Sequence, residues 1–135
     1  MPEQGRAIAK TRYAAVVPYV TKDGSEIREL MHPLAHGNER QSLAEAIVAP
    51  GAQTQLHRHP LSEEIYHITG GTGVMTLGGE TFTVVAGDTV LIPPDTPHCI
   101  RNTGTQPLSV LCACAPAYSH DDTELLQSES CPENP

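Results

Sequence analysis

A chain of 135 residues, 39 % hydrophobic and 18 % charged, is long enough to bury one core and short enough to be one domain. Its net charge of −8 comes with no basic stretch, which argues against a nucleic-acid partner, and no apolar run is long enough to span a bilayer. With one Phe and no Trp the core has to be aliphatic, and 12 Pro and 11 Gly divide the chain into many short elements.

The first residues, MPEQGRAIAKTR, hold no apolar segment of the kind a secretion signal needs, so the expected location is cytoplasmic. In that compartment Cys99, Cys112, Cys114 and Cys131 are not expected to form a disulfide framework. TRYAAVVPYV reads as an early strand, which Pro18 demotes to a sheet edge or to an arm that crosses to a second copy in a homodimer. Asp23-Gly24 is a turn into the short strand of SEIREL, and HPLAHGNERQ is a polar connection.

From Ser42 the chain becomes β-branched and regularly punctuated. SLAEAIVAP is a strand closed by Pro50-Gly51. TQLHRH and EEIYHIT are strands separated by Pro60-Leu61-Ser62. GVMTLGGETFTVV is a hairpin turning at Gly78-Gly79. Gly87-Asp88 precedes the strand TVLIP, and HCIRN and PLSVLCAC complete the series. Cys112 and Cys114, two apart on that last strand, share a face as small core residues. Ser119 to Asp122 can cap a short helix over DDTELLQ, and SESCPENP is expected to be a flexible tail. Strands at this spacing leave no room for crossover helices, which means an all-β sandwich or barrel. The chain divides into N-terminal strands and a connection (1–41), a barrel (42–116), and a short helix with its tail (117–135).

Residues 56–71, LHRHPLSEEIYHITGG, place three histidines and two glutamates among residues that prefer burial. Period-two alternation points His57 and His59 to one face, in phase with Gln55, and Arg58 to the other. Arginine needs solvent, so the histidine face is the inner one. Glu64, Tyr66 and Ile68 share a face on the next strand; Glu63, Ile65 and His67 take the opposite one. His98 opens a later strand, in phase with Ile100 and Asn102. Buried imidazoles without partners cost a few kcal/mol. A divalent metal satisfies them well, because neutral imidazoles and a carboxylate are common donors for first-row ions.

At this point the sequence resembles the cupin superfamily. The first cupin motif, G(X)5HXH(X)3,4E(X)6G, runs here from Gly51 through His57, His59 and Glu64 to Gly71. The second, G(X)5PXG(X)2H(X)3N, runs from Gly87 through Pro93 to His98 and Asn102, with Asp95 where the family has Gly. The motif spacing admits Glu63 as well as Glu64. Similarity to the EEIYYVL-like run of small cupins, in which the second Glu binds, favours Glu64. The resemblance implies a double-stranded β-helix, a jelly-roll barrel of two antiparallel sheets. It also implies one divalent ion (Mn, Fe, Ni, Zn, Co or Cu) held by His57, His59, Glu64 and His98. Gln55 and Tyr66 are candidates for the substrate pocket, and no catalytic acid or base can be assigned. The whole chain is similar to small stand-alone cupins described as related to mannose-6-phosphate isomerase. The implied functions are a dioxygenase, isomerase, decarboxylase or lyase acting on a small polar metabolite, or a non-catalytic sugar- or small-molecule-binding module. A homodimer is the expected assembly, since a small barrel leaves sheet edges to cover.

Overall fold

The computed structural model describes residues 8–126 and Cys131. Alternation decides which way the central strands face. β1 (Tyr19–Val20), β2 (Glu26–Met31) and β3 (Ser42–Val48) lead in from the N-terminal side. On β3, Ser42, Ala44, Ala46 and Val48 are buried and Leu43 is exposed. β4 (His57–Arg58), β5 (Glu63–Gly70), β6 (Thr72–Leu77), β7 (Glu80–Val85) and β8 (Thr89–Ile92) follow. β9 (His98–Asn102), β10 (Leu108–Ala115) and β11 (Glu124–Leu125) complete the chain. Glu64, Tyr66 and Ile68 are the buried residues of β5, and Leu108, Val110, Cys112 and Cys114 those of β10.

The strands form two antiparallel sheets. The first has the order β1-β2-β3-β10-β5-β8, the second β11-β4-β9-β6-β7. Strands distant in sequence pair in both sheets, as β3 does with β10 and β4 with β9, which makes this a jelly-roll barrel rather than a meander. The core between the sheets is aliphatic, with Ile68, Met75, Ile92, Ile100, Leu108 and Val110 at its centre.

Two turn positions and one buried side chain fix the loops that join the strands. Gly71, at the end of the first motif, has φ 86°, and a Cβ there would meet the Pro107 carbonyl oxygen at 2.7 Å. Asn102, at the end of the second, is buried and donates to the Val48 and Gln106 carbonyls while accepting from Gly104 N–H. It ties the end of β3 to the loop between β9 and β10. Asp95 takes the left-handed φ of 63° that the family's glycine would take, a conformation Asp tolerates better than most residues.

Four expectations need correction. TRYAAVVPYV is not one strand. Tyr13–Ala15 is a 3-10 turn, and only Tyr19–Val20, beyond Pro18, pairs at the sheet edge. Its contacts fold back onto its own barrel, with Thr11 Oγ1 donating to the Leu30 carbonyl and the Tyr13 hydroxyl to Glu45. The polar connection after β2 contains a single helical turn, α1 (Pro33–His36), capped by His32. The C-terminal helix is only a 3-10 turn, His120–Asp122. Seven residues are too few for a stable lone helix, and β4 offers a free backbone edge that β11 takes instead.

The fourth correction is a disulfide. Cys99 and Cys131 are bonded, with Cα atoms 5.8 Å apart, and with Leu56 they form a small second core against which Leu126 packs. Cys112 and Cys114 are free and buried, as small core residues should be. The expected flexible tail, 128–135, lies outside the described residues except for Cys131.

Candidate metal centre

Register brings the histidines together. His57 on β4 lies directly opposite His98 on β9. His59 follows two residues after His57 on the same inward face, and all three are buried. Their metal-facing nitrogens lie within 4.8 Å of one another. Glu64 enters from the other sheet, paired on its two sides with Cys114 and Ile92. Its Oε1 is 3.3 Å from His59 Nε2 and 3.5 Å from His98 Nε2. Glu63 on the opposite face is exposed, and His67 turns outward to Thr89 Oγ1 at 2.8 Å.

The backbone decides which nitrogen of each ring carries its proton. Nδ1 of His57 is 2.7 Å from the Gln55 carbonyl, Nδ1 of His98 is 2.9 Å from that of Thr96, and Nδ1 of His59 is 3.2 Å from that of Asp122. A carbonyl only accepts, so each Nδ1 is the donor and each neutral ring presents a bare Nε2 lone pair to the others. Glu64 Oε1 and His98 Nε2 are fully buried, and at their separation neither closes a hydrogen bond. Facing acceptors need a cation between them. Three imidazole nitrogens and a carboxylate oxygen are a donor set that fits a divalent first-row ion, and the carbonyls behind the rings hold them in the ligating tautomer.

The local charges agree with that donor set. Burial pushes the Glu64 carboxyl up, but positive charge at the His59 and His98 Nε2 positions, the place a bound cation would take, outweighs it and holds it down at about 2. Burial, reinforced by His98, lowers His57 to about 4, so its ring is neutral near pH 7. His59 moves the other way. Burial favours its neutral form, and Glu64 overcomes that and raises it, so a proton competes with a metal for this lone pair.

The centre sits in a narrow cavity of about 40 Å³, which His57, His59, Glu64 and Tyr66 help to line. Tyr66 is buried, its ring 5.8 Å from that of His98. Gln55 does not line the cavity. Leu56 and His57 are both buried in succession, so the period-two phase breaks just before β4, and Gln55 is left exposed while Thr54 turns inward. The alternation argument extended the strand too far back. Gln55 contributes its backbone instead, through the carbonyl that holds His57.

Two segments that sequence reading left aside complete the mouth. The turn at Thr21–Ser25 brings Asp23 into the cavity, its carbonyl accepting from Gln55 N–H at 2.9 Å and its Oδ2 standing 3.6 Å from His57 Nε2. The C-terminal segment supplies Tyr118, whose hydroxyl is 3.0 Å from Thr21 Oγ1, and Thr123, whose Oγ1 is 3.2 Å from His59 Nδ1. Asp23 read as a turn residue because nothing local marks it otherwise; only the pairing with Gln55 places it. No lysine or arginine lines the cavity among the described residues.

Residues 44–114 match the family model described as Cupin domain, and the chain belongs to the cupin family. An uncharacterised protein of Methanocaldococcus jannaschii is 57 % identical over 120 residues, which cover 89 % of this chain and 96 % of that protein. The polyketide synthase protein CurC of Streptomyces cyaneus is 33 % identical over 76 % of this chain and 70 % of its own length. Among solved structures, a predicted oxalate decarboxylase from Thermotoga maritima superposes with a TM-score of 0.69 at 27 % identity, covering 77 % of this chain and 96 % of that one.

Proposed function

We propose that this cupin is a metal-dependent enzyme acting on a small polar metabolite. The observation that carries the reading is the convergence of three buried imidazoles whose nitrogens lie within 4.8 Å of one another, two of them turning bare Nε2 lone pairs to the buried Glu64 carboxylate. His57, His59, Glu64 and His98 would hold one divalent ion, which when bound would supply Lewis-acid polarisation of a substrate oxygen. The protein's part is to keep the imidazoles neutral and aimed and to shield the centre from bulk water. The narrow inner cavity, with room for about three waters, suits the reacting end of a small molecule. Asp23, Glu29 and Glu64 line it and, among the described residues, no lysine or arginine does, which favours a neutral hydroxylated ligand over a dianion.

A second reading is a non-catalytic binding module. Burial pushes the Tyr66 hydroxyl well above its ordinary value, which keeps it protonated, so that it supplies no phenolate base and is a weak acid, and leaves proton transfer without an obvious agent among the four ligands and Tyr66. We extend the proposal to a homodimer. Leu43, Ala113, Ile65 and Leu91 form one register row across β3, β10, β5 and β8, and the three larger side chains are exposed on the outer face. No helix among the described residues is long and apolar enough to cross a membrane.

Elemental analysis of the freshly purified protein tests the metal. The expected result is about one transition-metal ion per chain, with His98→Ala retaining less than a tenth of it. A parent that carries no metal and takes up none on dialysis would end the enzyme reading.

A further inference from the structure

We propose that Asp23, which lies outside both cupin motifs, is an additional oxygen ligand of the metal, so that the N-terminal turn supplies part of the coordination sphere. This inference rests on the metal reading above. Asp23 Oδ2 is 3.6 Å from His57 Nε2, close to the 3.3 and 3.5 Å that separate Glu64 Oε1 from His59 and His98 Nε2. Donors sharing one first-row ion, each about 2.1 Å from it, stand about 3 to 4 Å apart. Asp23 therefore faces one ring, His57, at about the distance Glu64 keeps from His59 and His98.

The pairing is not a hydrogen bond. His57 Nδ1 donates to the Gln55 carbonyl, so its Nε2 carries a lone pair and faces the carboxylate acceptor to acceptor. The Asp23 side chain is 12 % exposed, and among the described residues no lysine or arginine pairs with it. Lys22, its neighbour, is turned away and donates to the carbonyls of His120 and Thr123. A largely buried carboxylate aimed at an imidazole lone pair, with no other cation at hand, needs a positive charge at that point.

The turn is also built to hold this carboxylate still. Oδ1 accepts from Ser25 N–H at 2.9 Å and from Ser25 Oγ at 2.7 Å, which leaves Oδ2 directed into the cavity. The Asp23 carbonyl is anchored to Gln55 N–H, two residues before His57. One short stretch of chain thus positions both partners. With two carboxylates around a divalent ion the first sphere is electrically neutral, which strengthens the preference for an uncharged ligand.

The test is titration of the metal-free protein and of Asp23→Asn with cobalt(II), read by visible absorption. Asparagine keeps the Oδ1 acceptor for Ser25, so the turn survives; an unchanged thermal midpoint without metal checks this. The expected outcome is a cobalt spectrum with shifted, altered bands and an affinity about 10- to 100-fold weaker than the parent's. A spectrum superimposable on the parent's, whatever the affinity, would overturn the assignment and leave the His57, His59, Glu64 and His98 site standing. A parent that binds no cobalt would overturn both.

Discussion

At position 95 the chain has Asp where the second cupin motif has Gly, and the backbone takes the same left-handed turn, φ 63°. Asp95 N–H donates to the His59 carbonyl at 2.7 Å, and its side chain lies 3.5 Å from Arg58 Nε. The loop below His98 is thus tied to the strand carrying His59. The two neighbouring glutamates separate more sharply. Glu64 is buried between imidazoles and Glu63 is exposed, one residue apart on one strand. Calorimetric titration with manganese or zinc should therefore show Glu64→Gln at least 10-fold weaker than the parent and Glu63→Gln indistinguishable from it. Equal losses in the two variants would mean that the carboxylate acts through net charge alone.

Among the elements, β4 shows how much a two-residue strand can do. His57 pairs with His98 of β9 on one side and with Leu125 of β11 on the other, so this inward histidine is held from both edges. Arg58, facing out, meets Glu124 of β11 at 2.8 Å. Exposed pairs of this kind add little stability, on the order of 0.5 kcal/mol, so backbone pairing is the larger contribution. The outer face of the larger sheet carries the one assembly prediction. If two copies pack on the Leu43, Ile65 and Leu91 row, light scattering should give twice the chain mass for the parent. Ile65→Asp with Leu91→Asp should give one chain mass with the fold intact. A monomeric parent at micromolar concentration would remove the homodimer from the proposal.

For the molecule as a whole, burial acts in one direction on five acidic groups. It raises Tyr19, Tyr66, Tyr118, Cys112 and Cys114 above their ordinary values of 10.0 and 9.0. The unfolded chain releases these protons first, so above about pH 9 it binds fewer protons than the folded chain, and stability falls as pH rises. Below that pH the contribution is fully present. Denaturant midpoints should drop steadily between pH 9 and 11, with tyrosine ionisation appearing together with unfolding. Full tyrosine ionisation while the fold persists would contradict the buried placement. The Cys99–Cys131 bond, closing 32 residues of sequence separation, adds about 3 to 4 kcal/mol by restricting the unfolded chain.

Much of this architecture was legible from residue order alone. Alternation and turn residues are local properties, so the all-β class, the strands from Ser42 to Cys114 and the inward face of His57 and His59 could be read directly. Motif spacing added His98 and narrowed the carboxylate to two neighbours. What depended on pairing between distant segments could not be read. The turn that carries Asp23, the carbonyls that select each imidazole tautomer, the exposed side chain of Gln55 and the bond from Cys99 to Cys131 all depend on which backbone edge meets which. β11 forms for the same reason. Its residues favour a helix weakly, and the free edge of β4, supplied by a segment some sixty-six residues earlier, outweighs that preference.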